Sequence, residues 1–173
     1  MEKIFFPASV VVFGVSAAPT NLGRNIVLNL QRFGYKGDIH AVGKGGGDIG
    51  GVPIHSAIDE VPGVPDLAVF LLPARHVPDA LAACGRKGIR RAIIESGGFS
   101  EFADQGRDLE HEVLNIARQW GMRVVGPNCI SIVNLENGLV LPFVPLEDRE
   151  VRKGHISIVA QSGGIALDCM RLL

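Results

Sequence analysis

The sequence is poor in cysteine, in aromatic side chains and in any concentration of charge. Its three cysteines, Cys84, Cys129 and Cys169, are odd in number, far apart and without a C-x-x-C pair. That argues against a disulfide framework or a structural zinc site and fits a reducing compartment. The 17 Lys and Arg and the 18 Asp and Glu are scattered. With no run of one sign there is no nucleic-acid tail and no membrane-surface patch. No apolar stretch approaches the roughly 20 residues of a membrane-spanning helix. The opening Met1 to Phe6 is too short, and too soon broken by Pro7, to read as a secretory signal. The expectation is a cytoplasmic protein without nucleic-acid or membrane partners. Aromatics make up only 6% of the 173 residues although 47% are apolar. The core must therefore be built from Val, Ile, Leu and Ala, a composition that suits parallel strands buried under helices.

What is present is a regular alternation. Residues 9–15 form an unbroken apolar run ending near Gly14, the mark of a strand buried on both faces. Ile26, Leu30 and Phe33 then recur at helical spacing before Gly34. Residues 36–42 predict a second strand and 52–54 a short edge piece, and Ser56 stands where it would cap a brief helix. Strands follow over 66–72, 91–95 and 123–125, with helices between them over 77–87 and 108–120, stopped by Gly88 and Gly121. This rhythm predicts an α/β, Rossmann-like parallel sheet with helices on both faces and right-handed crossovers. Residues 1–150 read as this first domain, its last twenty residues irregular and leading to a linker. Residues 151–173 read as the start of a second α/β domain: a strand over 154–160, then a turn, Gln161-Ser162-Gly163-Gly164, into a helix.

Ligands of open parallel sheets bind outside the carboxyl ends of the strands. Small and unusual residues gather at those ends: Gly14-Val15-Ser16, Gly43-Lys44-Gly45, Pro73-Ala74, Ser96-Gly97-Gly98 and Gly126-Pro127-Asn128-Cys129. The first loop, Gly14 to Gly23, does not follow the G-x-G-x-x-G spacing of dinucleotide sites. The second strand ends in Lys44 where an acidic residue would suit a free ribose hydroxyl. A lysine suits a phosphorylated ribose, as in NADP or coenzyme A. Cys129 has no activating base assignable from sequence, so a position packed near the ligand fits it better than a nucleophile's role.

These segments, in this order, resemble the coenzyme A-binding domain of the NDP-forming acyl-CoA synthetases, the group of the succinyl-CoA synthetase alpha subunit and the ADP-forming acetyl-CoA synthetases. The likeness runs through residues 12–16, Gly43-Lys44 with 51–54, 66–69 with Pro73-Ala74, 94–101, 126–129 and 158–164. It implies that Gly14, Ser16 and Gly23 cradle the phosphates of coenzyme A and that Lys44 meets its adenosine end. It further implies that Pro73, Ala74 and Ser96 line the groove, with Asn128 and Cys129 near the thiol. In such enzymes a phosphohistidine links nucleotide and acyl phosphate. Gln161, Ser162, Gly163 and Gly164 resemble the helix start that receives its phosphate. None of His40, His55, His76, His111 and His155 matches that histidine. The resemblance therefore implies a chain that binds coenzyme A, with no catalytic residue or metal site of its own, beside a nucleotide-grasp domain or beta-like subunit. The same segments resemble part of bacterial protein acetyltransferases with a synthetase-like region. A non-catalytic sensor of coenzyme A or acyl-CoA and an NADP-binding domain are the competing expectations. The apolar 154–172 region also suggests cover from a second copy.

Overall fold

The computed structural model describes residues 2–99, 104–147 and 151–172. Ser100 and Glu101 of the quoted motif, and residues 148–150 of the expected linker, lie outside the described residues. Seven strands form one sheet: β1 (Ser9–Phe13), β2 (Asp38–Val42), β3 (Asp48–Ile49), β4 (Val52–His55), β5 (Leu67–Phe70), β6 (Arg91–Ile94) and β7 (Arg123–Val125), in the order β3-β4-β2-β1-β5-β6-β7. Every pairing is parallel except β3 with β4. The fold is the expected Rossmann-like α/β sheet.

β1 lies at the centre because it is apolar on both sides. Val10 and Val12 enter one core, and Val11 and Phe13 enter the other. The first core is covered by α2 (Leu22–Arg32) through Ile26, Val27 and Leu30. The second is covered by α3 (Val77–Lys87) and α4 (Asp104–Gln119) through Leu81, Cys84, Val113 and Ala117. Phe13 and Phe70 stack in that second core with centroids 4.7 Å apart. Gly85 lets the two outer helices meet, since a side chain there would strike the Trp120 ring at 2.4 Å. α3 has the expected bounds, with Pro78 in its first turn and Gly88 closing it in the left-handed region at φ 103°. A four-residue helix, α1 (Glu2–Phe5), precedes β1 and is tied to the sheet by an ion pair between Lys3 and Asp66.

Four local expectations change. Ser56 does not cap: its N–H and hydroxyl both turn to Glu60, and the 3-10 turn Ile58–Glu60 has no side-chain cap. α4 begins at Asp104 rather than 108. Residues 130–147, expected as irregular structure at the end of the first domain, are more ordered than that. They hold the antiparallel pair β8 (Val133–Asn134) and β9 (Leu139–Val140), and Leu139, Leu141 and Leu146 are completely buried. Asn29, itself buried, holds this strap: its Nδ2 donates to the carbonyls of Pro142 and Val144, both at 2.8 Å, and its Oδ1 accepts from Leu146 N–H. Residues 154–160 form no strand. A strand needs a neighbour for its N–H and C=O groups, and none pairs with this segment among the described residues; Ile156 and Val159 stand in solvent. The helix that follows does form, as α5 (Gly163–Leu172).

Candidate coenzyme A-binding edge

The floor of the site is the turn from β1 into α2. Gly14 adopts φ 86°, and a side chain on it would meet the Leu71 carbonyl oxygen at 2.0 Å. Only glycine fits so close a crossing of two backbones. Gly23 is pressed against the same turn, 2.8 Å from the Gly14 carbonyl oxygen at the place a Cβ would occupy. Between them Asn21 organises the loop. Its Oδ1 accepts from the N–H groups of Arg24 (2.7 Å) and Ser16 (3.1 Å), and its Nδ2 donates to the Gly14 carbonyl (3.0 Å). Asn21 is thus both the N-cap of α2 and the clasp of the loop. The sequence signal was available, an asparagine directly before an amphipathic helix, yet the residue reads there only as part of a loop.

The result is a cleft of about 400 Å³ at the start of α2, lined by Gly14, Ser16, Ala18, Thr20, Asn21, Leu22, Gly23 and Leu71. Backbone N–H groups and the positive end of the helix dipole favour an anion here.

The other loops continue from this cleft along one edge. Gly47, at the far end of the Lys44 loop, sits 3.6 Å from the Ala17 methyl by the position of a Cβ, and Lys44 is exposed, with no ion pair among the described residues. Pro73 is exposed and opens the 3-10 turn Ala74–His76, and Ala74 lies against Gly98 of the next loop. The Ser96 hydroxyl is occupied: it accepts from Leu72 N–H (2.9 Å) and donates to the Phe70 carbonyl (3.3 Å), locking the ends of β5 and β6 together. The Ser96 carbonyl in turn accepts from Asn128 N–H at 3.0 Å. Asn128 is exposed and takes φ 52°, after a cis Gly126–Pro127 bond. Cys129 is half-buried, its Sγ donating to the Ile94 carbonyl at 3.5 Å. Burial pushes its thiol upward and the nearby Glu95 carboxylate adds to this, so it is not an activated nucleophile.

The Gln161–Gly164 turn reaches the same loop. A side chain on Gly163 would meet Ile130 at 2.7 Å, and the Ser162 hydroxyl faces Ile165 N–H at the start of α5. Glu95 was missed at sequence level, where it reads as the polar end of a strand. It is 3% exposed, and neither carboxylate oxygen makes a hydrogen bond of full geometry, although the Ser131 hydroxyl and the Phe143 N–H stand near enough to ease its charge. Burial outweighs the easing effect of Ser131 and the Phe143 backbone and pushes its pKa up to about 8. No cluster of metal-ligating side chains occurs among the described residues, and no helix among them is long and apolar enough to cross a membrane.

The profile of the CoA binding domain matches residues 8–134. The chain belongs to that family. It is 38% identical over 173 residues to the ADP-forming acetate–CoA ligase II of Archaeoglobus fulgidus, a match covering 97% of this chain and 25% of the ligase. It is 35% identical over 174 residues to the alpha subunit of the ADP-forming acetate–CoA ligase I of Pyrococcus furiosus, covering 98% of this chain and 37% of the subunit. Among solved structures, the apo acetyl-coenzyme A synthetase 1 of Candidatus Korarchaeum cryptofilum superposes with a TM-score of 0.89 at 29% identity. That match covers 98% of this chain and 36% of the synthetase. The chain thus spans a quarter to little more than a third of these relatives' length.

Proposed function

We propose that this chain binds coenzyme A as a substrate at the described edge, as the coenzyme A-binding part of an NDP-forming acyl-CoA synthetase acting in the cytoplasm. The carrying observation is the cleft at the α2 N-terminus, closed by Asn21 and floored by Gly14 and Gly23, with exposed Lys44 on the adjoining loop. In this reading Gly14, Ser16 and Gly23 hold the pyrophosphate and Lys44 the ribose phosphate. Pro73 and Ala74 flank the arm, and Ser96 supports them from beneath through its bonds to β5. Asn128 and Cys129 meet the thiol end. Gln161 to Gly164 receive a phosphate carried by a histidine that another domain supplies. A second α/β domain continuing from residue 151 and a nucleotide-grasp module complete the reaction of acid, nucleoside triphosphate and coenzyme A to acyl-CoA. The membership of the family and the two ligases named above support this reading over an NADP site.

Titration calorimetry with coenzyme A and with dephospho-coenzyme A, which lacks the ribose phosphate, tests the assignment of Lys44. The Lys44→Ala variant is expected to weaken coenzyme A about tenfold, the loss of one charge-assisted contact of about 1.4 kcal/mol, and to leave dephospho-coenzyme A unchanged. Equal weakening of both ligands would remove Lys44 from the ribose phosphate. Tighter binding of NADPH than of coenzyme A would replace the reading altogether.

A further inference from the structure

Beneath the loop 126–131 lies a group that the binding site as described does not use. Glu95 directly follows β6. Both of its carboxylate oxygens are enclosed without a hydrogen bond of full geometry, and so is the hydroxyl of Ser131 on the loop above, with only that hydroxyl and the Phe143 N–H near enough to ease the charge. Such groups are rare in folded proteins and call for an explanation. The backbone over them is strained as well, since Asn128 and Ser131 both hold left-handed conformations, at φ 52° and 80°, that side-chain-bearing residues seldom adopt. Among the described residues, two bonds tie the loop to the sheet: Asn128 N–H to the Ser96 carbonyl and the Cys129 thiol to the Ile94 carbonyl. Poorly partnered polar atoms, strained backbone and thin attachment thus coincide at one end of the candidate site.

We infer that Glu95 is a positioning residue for this loop: as an uncharged acid it lets the loop close over it, and as a carboxylate it drives the loop open. The inference deepens the proposed function, because the loop carries Asn128 and Cys129. The physical cause is the cost of an unpaired charge in a dry site. The groups that face Glu95 are Ser131 and Cys129 from the loop and the Phe143 backbone from the strap, with no cation among the charges that act on it. Ser131 and the Phe143 N–H offset only part of the cost of burying the charge, so a carboxylate gains by taking water as a further partner, and admitting it requires the loop to lift. With the carboxyl held up to about 8, the transition falls just above neutral pH. Below it the thiol end of the site is formed; above it the loop opens and Cys129 is uncovered.

The test needs no ligand, so it stands or falls apart from coenzyme A binding. The rate of Cys129 alkylation by iodoacetamide is read by peptide mass spectrometry in the full chain and in Glu95→Gln, at about pH 6.5 and about pH 9, either side of the Glu95 transition. The two proteins are expected to react alike at the lower pH, and the parent at least fivefold faster than the variant at the higher. Electrostatics alone predicts the opposite, because the Glu95 charge disfavours the Cys129 thiolate. A parent rate equal to or below that of Glu95→Gln at both pH values would overturn the proposal. Hydrogen exchange of the parent alone gives a second reading that does not depend on the variant's folding. After correction for intrinsic rates, protection over 126–132 should fall at least fivefold across the same interval while that of 67–70 is held. Constant protection of the loop would likewise overturn it.

Discussion

At the scale of single residues, the least expected group is Glu95, and its effect on stability has a definite sign. Its ordinary pKa is 4.5 and burial raises it in the folded chain to about 8. Below the lower value both states are protonated and nothing is lost. Between the two values the unfolded chain has released a proton that the folded chain still holds, so stability falls as pH rises and levels off above the folded pKa. The slope at its steepest is about 1.4 kcal/mol per pH unit. Glu95→Gln, which has the same shape and no titration, should remove that dependence and exceed the parent in stability at alkaline pH. Denaturant unfolding from about pH 5 to about pH 9 measures it; parallel curves for the two proteins would show that Glu95 is solvated. None of this is legible in the sequence, because a glutamate after Ile94 has the same appearance whether its carboxyl leaves the sheet or turns beneath a distant loop. Asn21 differs: its place before α2 was legible, and only its double role at Ser16 and Gly14 needed coordinates.

At the scale of elements, runs buried on both faces announced themselves. β1 and β5 are almost wholly apolar and β6 is apolar after Arg91, and α3 is framed by Pro78 and Gly88. What stayed hidden was decided by long-range partners. The strap at 142–146 is irregular in sequence and is fixed by Asn29 more than a hundred residues away. Asn29→Ala should cost about 3 kcal/mol, from three bonds of roughly 1 kcal/mol each. Chemical denaturation would reveal it, and a loss under about 0.5 kcal/mol, the ordinary effect of a surface change, would show that the strap holds without that residue. The reverse case is residues 154–160, whose pattern is that of a strand but which have nothing beside them. Their amides should exchange in hydrogen–deuterium experiments without protection while those of 10–13 exchange slowly. Protection over 154–160 in this chain would mean a partner, such as a second copy.

For the whole molecule, the order of strands places the first loop, the Lys44 loop, Pro73-Ala74, Ser96 and the 126–129 loop along one edge, although more than a hundred residues separate the first from the last. Their common placement followed from the parallel topology, which was legible in the alternation of strands and helices. Their spacing and the state of each side chain were not: Ser96 is spent on the sheet, whereas Lys44 is exposed. The exposed apolar side chains beyond residue 151 fit the short span of this chain against its relatives, and in the proposed reading a further domain covers them. The central claim is that coenzyme A lies along that one edge. Mapping amide chemical-shift changes on titration with coenzyme A tests it most directly. Changes are expected to concentrate at residues 14–23, 43–47, 73–74 and 126–129, with the opposite ends of the strands, near Ser9, Asp38 and Arg91, silent. Saturable changes at those opposite ends, or none at millimolar coenzyme A, would contradict it.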